Sequence, residues 1–236
     1  MMQIVYYFSA ALKVGAPEQA VSFSVPTGNF GDIYAGFLAK RIGLPIKQLV
    51  VATNSNDILH RFINGNEYST TDLNHTLSPS MDILVSSNFE RYLFDLFDRD
   101  AEMLRTFMSK LGQESQQVSD DKWQQMRECF SSARVDDALT CETIAKVFSD
   151  TGKLVDPHTA VGIRAARECN ADPSTPMITL STAHPAKFSD AINKAGLDTP
   201  ELPAHLTGLF EKEEHYSVVE NDLAAVTEFV TKHSHS

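Results

Sequence analysis

The chain has 236 residues, enough to bury one sizeable core or two small ones, and with 42% apolar and 22% charged residues it reads as globular. A formal net charge of −11 argues against general nucleic-acid binding, because an acidic surface repels a phosphate backbone; a local anion site built from backbone N–H groups stays possible. Three scattered cysteines, Cys129, Cys141 and Cys169, argue against a disulfide framework and fit a reducing, cytoplasmic setting, and no apolar run approaches the length of a membrane span.

The first predicted element is a helix in MMQIVYYFSAALKV, where Ile4, Val5, Phe8, Ala11 and Leu12 recur at helical spacing. It has no positive n-region, which disfavours a signal peptide, and no capping residue ahead of it, so it reads as a helix entered partway along. Val21, Phe23 and Val25 then alternate with Ser22 and Ser24 in strand period, and Pro26-Thr27-Gly28 stops the strand. Ile33, Phe37 and Ile42 mark a helix with Asp32 near its positive end, closed by Gly43 and Pro45. QLVVAT, 48–53, is more continuously apolar, as suits a parallel strand buried on both faces. Asn54-Ser55-Asn56-Asp57 offers caps to a helix carrying Ile58, Leu59, Phe62 and Ile63. This β-α-β-α order predicts an α/β fold, a parallel sheet with crossover helices.

Residues 66–87 read as loop. From Asn88 to about Phe148 the stretches FERYLFDLFDRDAEMLRTFMSKLG, DKWQQMRECFSSA and TCETIAKVFSD predict helices with little strand. The α/β pattern then returns. Asp156 as N-cap and Pro157 at the first helical position open PHTAVGIRAARE, and MITLS, 177–181, reads as a buried strand. TAHPAKFSDAINKAG leads into another helix, Ser217 with Glu220 forms a capping box for a last one, VVENDLAAVTEFVTK, and the closing HSHS reads as a tail. The expected organisation is 1–87 as the first part of an α/β domain, 88–150 as a helical insertion or small domain, and 151–236 as the return to the α/β domain with a C-terminal helix.

Two stretches offer chemistry. PTGNFGDI joins a strand to a helix N-terminus, where backbone N–H groups are free, the dipole is positive, and Gly28 and Gly31 let the backbone bend close to a guest. Either it cradles a phosphate or it is a plain tight turn, since it matches neither GxGxxG nor a P-loop. LSTAHPAKF, 180–188, would set hydroxyls at the carboxyl edge of the sheet, where ligands of open α/β sheets bind, or Thr182 simply caps a helix. His158 and His184 lack metal-site spacing and are expected to cap or to pack. Lys40 and Lys187 lie on predicted amphipathic helices and read as solvated.

Taken together, QIVYYF (3–8), VPTGNFGDIYAGFLAKRIGLPI (25–46), VATNSNDILHRF (51–62), TLSPSMDILVSSNFER (76–91), DPHTAVG (156–162) and LSTAHPAKF (180–188) resemble the C-terminal part of the long-chain form of threonine synthase, in family order. The resemblance implies pyridoxal-phosphate fold type II, the tryptophan-synthase-β-like fold, and conversion of O-phosphohomoserine and water to threonine and phosphate. It implies that Gly28, Asn29, Phe30, Gly31 and Asp32 hold the phosphate of pyridoxal 5′-phosphate, Asp32 through its backbone. It also implies that the Thr182 hydroxyl meets the pyridine nitrogen, tempering the ring as an electron sink.

The family's Schiff-base lysine, and the Asn-rich segment that meets the cofactor's 3′-hydroxyl, lie upstream of every matched piece. The expectation is therefore that this stretch supplies half of a cofactor site and no catalytic residue of that kind, needs the N-terminal region as partner, and is inactive alone; Lys187 corresponds to a different family position. Two alternatives stand beside this reading: a non-catalytic binder of phosphate or a phosphometabolite, and a threonine-synthase-like phospho-lyase. No nucleic-acid or membrane partner and no metal is expected.

Overall fold

A computed structural model describes residues 2–234; the last two residues of the HSHS tail lie outside them. In chain order the elements are α1 (Ile4–Lys13), β1 (Val21–Pro26), α2 (Gly31–Ile42), β2 (Ile46–Thr53), α3 (Ile58–Gly65), α4 (Phe89–Leu96), α5 (Ala101–Ser109), α6 (Asp120–Arg127) and β3 (Phe130–Arg134). They continue with α7 (Asp137–Thr151), α8 (Pro157–Cys169), β4 (Met177–Thr179), α9 (Ser189–Lys194) and α10 (Leu223–His233). Short 3-10 turns sit at Pro79–Met81 and Pro185–Phe188. Residues up to Pro200 form one compact unit, and those from Glu201 onward, with α10, form a second.

All strand pairs are parallel, in the order β3-β2-β1-β4. Strand period divides the core. Phe23, Val25, Leu49 and Val51 face one side and pack with Tyr7, Ile33, Phe62 and Phe89 from α1 to α4. Val50 and Ala52 face the other and pack with Ala133 of β3 and with Val161 and Ala165 of α8. Ser24, on that second face, donates its hydroxyl to Gly162 O at 2.7 Å. A β-carbon on Gly162 would lie 2.9 Å from Thr179 Cγ2 and 3.1 Å from Pro26 Cγ, so α8 approaches the ends of β1 and β4 as closely as only glycine allows.

Several expectations need correction. Residues 88–148, expected to hold helices with little strand, carry one short strand that the sequence did not locate: β3 lies within them and forms an edge of the sheet, with Val51 opposite Ser132. Phe-Ser-Ser-Ala is too short and too polar to announce a strand, and only its partner β2 defines it. β4 is half-buried rather than buried, because among the described residues it pairs with β1 alone. The Ser217–Glu220 capping box does not form; α10 begins at Leu223, and Asp222 accepts from Ala225 N at 3.0 Å, a short carboxylate next to the helix winning the cap. Asp57 precedes α3 without capping it and pairs with Arg61 at 2.9 Å. In α1 the buried residues are Tyr7 and Ala11, while Val5 and Leu12 are exposed.

Candidate functional site

The strands β1, β2 and β3 step one way across the sheet, and β4 lies on the opposite side of β1. The strand order therefore reverses between β1 and β4, and in open α/β sheets ligands bind beyond the carboxyl ends of the strands at that reversal. β1 runs into Thr27–Phe30 and then α2; β4 runs into Leu180-Ser181-Thr182. Both stretches singled out by sequence leave the sheet at this crevice.

The turn after β1 is fastened from several directions. Thr27 N donates to Ala52 O at 2.8 Å, Ser86 Oγ donates to Gly28 O at 2.8 Å, and Asn88 N donates to Asn29 O at 2.9 Å. Asn29 Oδ1 accepts from Gly31 N at 2.9 Å, an Asx-type turn that uses one opening N–H of α2. The N–H groups of Asp32 and Ile33 belong to the first turn of α2, where no intrahelical acceptor exists, and they have none among the described residues.

Phe30, not a glycine, takes the left-handed backbone, at φ 67°. Its ring is 1% exposed and packs on Phe89, Phe130 and Tyr92 at centroid distances of 4.9, 5.6 and 6.0 Å. That burial holds a conformation that a bulky residue otherwise avoids, so only the backbone of Phe30 is available to a ligand. Gly28 is needed for a different reason. A β-carbon there would stand 3.1 Å from Ser80 O and 3.2 Å from Met81 Cα, so the space that glycine leaves is filled by the 3-10 turn Pro79–Met81.

Asp32 is held by Tyr7, whose hydroxyl donates to Asp32 O at 2.9 Å and to its Oδ1 at 3.3 Å. Burial pushes the Asp32 carboxyl above the usual range, opposed by the Tyr7 bond, and burial together with the Asp32 charge pushes the Tyr7 phenol well up. Thr182 is exposed and shares a cleft of about 590 Å³ with Asp32, Thr179, Ser181, Lys13 of α1 and Gln3 just ahead of it. A second hollow of about 520 Å³, lined by Asn29, Gly31, Asn88 and Arg91, also includes Gln3 and Asp32. The structure thus brings Asn29, Gly31, Asp32 and Thr182 to adjoining hollows and buries Phe30.

The remaining candidates take supporting roles. His184 Nδ1 accepts from Ala186 N at 3.2 Å, a cap, as expected. His158 is 3% exposed: its Nε2 accepts from Ser80 N at 3.1 Å, and its Nδ1 faces Asp156 Oδ1 at 2.9 Å. Lys40 lies 3.5 Å from Lys47 O, and Lys187 sits over the Phe188 ring at 5.6 Å; neither lines the two hollows. No metal-ligating cluster occurs among the described residues.

Sequence reasoning offered Asn54 and Asn56 only as helix caps, a role neither takes at α3. Their amides donate to Asp82 Oδ1 at 2.8 and 3.0 Å, where Thr76 Oγ1 also donates at 2.7 Å, and Thr76 N donates to Asp82 Oδ2 at 2.8 Å. This knot at the end of β2 anchors the segment that leads to Ser80 and Met81. The repeated short polar residues in TNSN and TLSPSMD were its only signal in the sequence.

A family profile described as "Threonine synthase, C-terminal" matches residues 159–230. Threonine synthase from Pseudomonas aeruginosa is 58% identical over 238 residues, spanning 99% of this chain and 50% of that protein. The chain belongs to the threonine synthase family. Among solved structures, pyridoxal-phosphate-bound threonine synthase from Brucella melitensis superposes with a TM-score of 0.91 at 48% identity, covering 99% of this chain and 50% of its own. The yeast threonine synthase structure gives 0.86 at 37% identity, covering 98% of this chain and 51% of its own. The fold is thus the α/β arrangement of pyridoxal-phosphate fold type II, and the chain spans about half the length of the relatives it matches, their C-terminal half.

Proposed function

We propose that this chain forms the C-terminal half of a threonine synthase, acting on O-phosphohomoserine and water to give threonine and phosphate with pyridoxal 5′-phosphate as cofactor. One observation carries this reading. The GNFGD turn and the Ser181-Thr182 segment, which the family resemblance assigns to the two ends of the cofactor, leave adjacent strands at the reversal of strand order, and Asp32 and Thr182 line one cleft. The residues fit the group. The first turn of α2 offers the N–H groups of Asp32 and Ile33 at the positive end of a helix, as a phosphate requires, and the Thr182 hydroxyl is open to a ring nitrogen.

When bound, pyridoxal phosphate supplies the electron sink for chemistry at the amino-acid substrate. The turn 26–32 fixes the phosphate through backbone groups, so its specificity does not depend on an arginine or lysine. Thr182 orients the ring nitrogen without the charge of a carboxylate and so does not hold a proton there. Asp32 directs its carboxylate to Tyr7, which leaves its backbone to face the anion. The residue that carries the cofactor covalently, and the proton transfers at substrate, belong in this reading to the N-terminal half of the enzyme. The cytoplasm is the proposed location.

The test is a split enzyme: this chain co-expressed with the N-terminal half of the Pseudomonas aeruginosa relative. Equal amounts of threonine and phosphate are expected from O-phosphohomoserine. A keto acid in place of threonine would assign a phospho-lyase, and a folded pair that binds phosphate without turnover would assign a binding protein. In the active pair Thr182→Val should lower kcat at least 10-fold and shift the cofactor absorbance; unchanged turnover and spectrum would reduce Thr182 to a cap.

A further inference from the structure

The motif Asp156-Pro-His-Thr-Ala-Val-Gly162 at the start of α8 lines neither hollow, yet it touches both sides of the crevice. Asp156 is fully buried and caps α8, its carboxylate accepting from His158 N at 2.9 Å, from the more distant Thr159 N, and from the Thr159 hydroxyl. The ring of His158 has only one consistent tautomer. Ser80 N is a backbone amide and can only donate, so Nε2 is the acceptor and the proton sits on Nδ1, donated to Asp156. The residue whose N–H this ring holds, Ser80, also carries the carbonyl oxygen that lies against Gly28. The opposite side of the crevice is reached from the same two helical turns. The His158 ring packs on Phe188 at 4.6 Å, Thr159 Oγ1 makes a long contact to Ser181 Oγ at 3.4 Å, and Gly162 is wedged between Pro26 and Thr179.

We propose that His158 is a positioning residue: through Ser80 it presses the turn Pro79–Met81 onto Gly28 and fixes the anion-binding turn relative to the Ser181-Thr182 segment. The proposal rests on the cofactor reading above for what the crevice holds, but not for the placement itself. The two ring nitrogens do different work. Nε2 carries the positioning, by giving Ser80 N–H an acceptor. Nδ1 satisfies Asp156 and so serves the stability of α8. Removing the first leaves a backbone donor without its partner and frees the turn; removing the second leaves a buried carboxylate with one donor fewer.

Two variants of the whole chain separate these roles. His158→Gln can return an acceptor to the Nε2 position, whereas His158→Asn can keep a donor for Asp156 and leaves Ser80 N–H unmet. The readouts are the backbone amide resonances of Gly28, Gly31 and Thr182, and the dissociation constant for pyridoxal phosphate measured by equilibrium dialysis. His158→Gln is expected to keep the Gly28 and Gly31 resonances and to bind within about 2-fold of wild type. His158→Asn is expected to displace both resonances and to weaken binding at least 10-fold, even where it is the more heat-stable of the two. The reverse order, or equal effects of the two variants on the Gly28 amide, overturns the proposal. Should one variant fail to fold, Ser80→Pro, which deletes the same N–H from the other side, must displace Gly28 as His158→Asn would; an unmoved Gly28 also overturns it. Wild-type chain that binds no pyridoxal phosphate even when paired with the N-terminal half of the Pseudomonas aeruginosa relative would count against the cofactor reading alone, because the amide displacements still decide the positioning role.

Discussion

At the scale of single residues, the least comfortable group in the site is Asp32. Its carboxylate is desolvated at the end of a helix where the proposed guest is an anion, and Tyr7 compensates by donating to both its backbone and side-chain oxygens. A carboxyl whose pKa lies higher in the folded than in the unfolded chain binds its proton more tightly when native. Its contribution to stability is therefore greatest below the unfolded value of about 3.9, declines as pH rises through the folded value, and stays lowered at neutral pH. Asp32→Asn keeps both acceptors for Tyr7 and removes the charge. It should raise the melting temperature at pH 7, and the gap to wild type should close as the pH is lowered through the Asp32 titration. The same variant should bind pyridoxal phosphate tighter by about 5-fold, the scale of one unit charge about 4 Å away in the dielectric of water. A melting temperature that falls at pH 7 would mean that the carboxylate is held by something more than Tyr7. The turn itself was legible from sequence, because glycine, proline and a strand-to-helix change announce it within eight residues. What Phe30 does within the turn was not legible: its letter does not reveal that an aromatic ring can hold a left-handed backbone by being buried.

At the scale of elements, the parts legible in sequence were those with a strong period of their own. β1 alternates, β2 is continuously apolar, and α8 carries its Asp-Pro start, and all three are found where the pattern put them. What was not legible depends on partners far along the chain. β3 becomes a strand only against β2, and the Ser80 turn acquires meaning only through His158, 78 residues away. The close passage of α8 over β1 and β4 belongs to the same class, since a glycine in a helix gives no sign of what it faces. It yields a prediction at this scale. Gly162→Ala would put a methyl group 2.9 Å from Thr179 Cγ2, and the neighbours on that side are the ends of two strands, which cannot give way independently. The variant should lose about 1–3 kcal/mol in chemical denaturation, the usual cost of overpacking, despite alanine's better helix propensity. It should also shift the Thr182 amide more than that of Asn54, which lies beyond β2. A gain in stability would show that α8 can lift off the sheet without penalty.

At the scale of the whole molecule, the chain divides where its hydrophobic organisation ends. The unit up to Pro200 contains every buried side chain of the three core clusters, whereas α10 has no buried residue, and Leu223, Val226 and Val230 on it are exposed. Between a 3-10 turn at Leu209–Glu211 and α10, residues 212–221 carry no regular structure, and Glu213, Glu214 and Glu220 are exposed there. An exposed, unpaired backbone is where a protease finds the extended conformation it needs, while cleavage inside the sheet requires unfolding first. Brief digestion with a glutamate-specific protease should therefore cut first between 212 and 221. The remaining large fragment should keep its cooperative melting transition to within about 2 °C, because it retains the sheet, both packed faces and the entire crevice between β1 and β4. Intact mass of the early product and a melting curve of the purified fragment check both halves of the statement. If cleavage at 212–221 instead abolished the transition, the residues from Glu201 onward would be contributing to the stability of the first unit, and the division of the chain at Pro200 would not be a thermodynamic one.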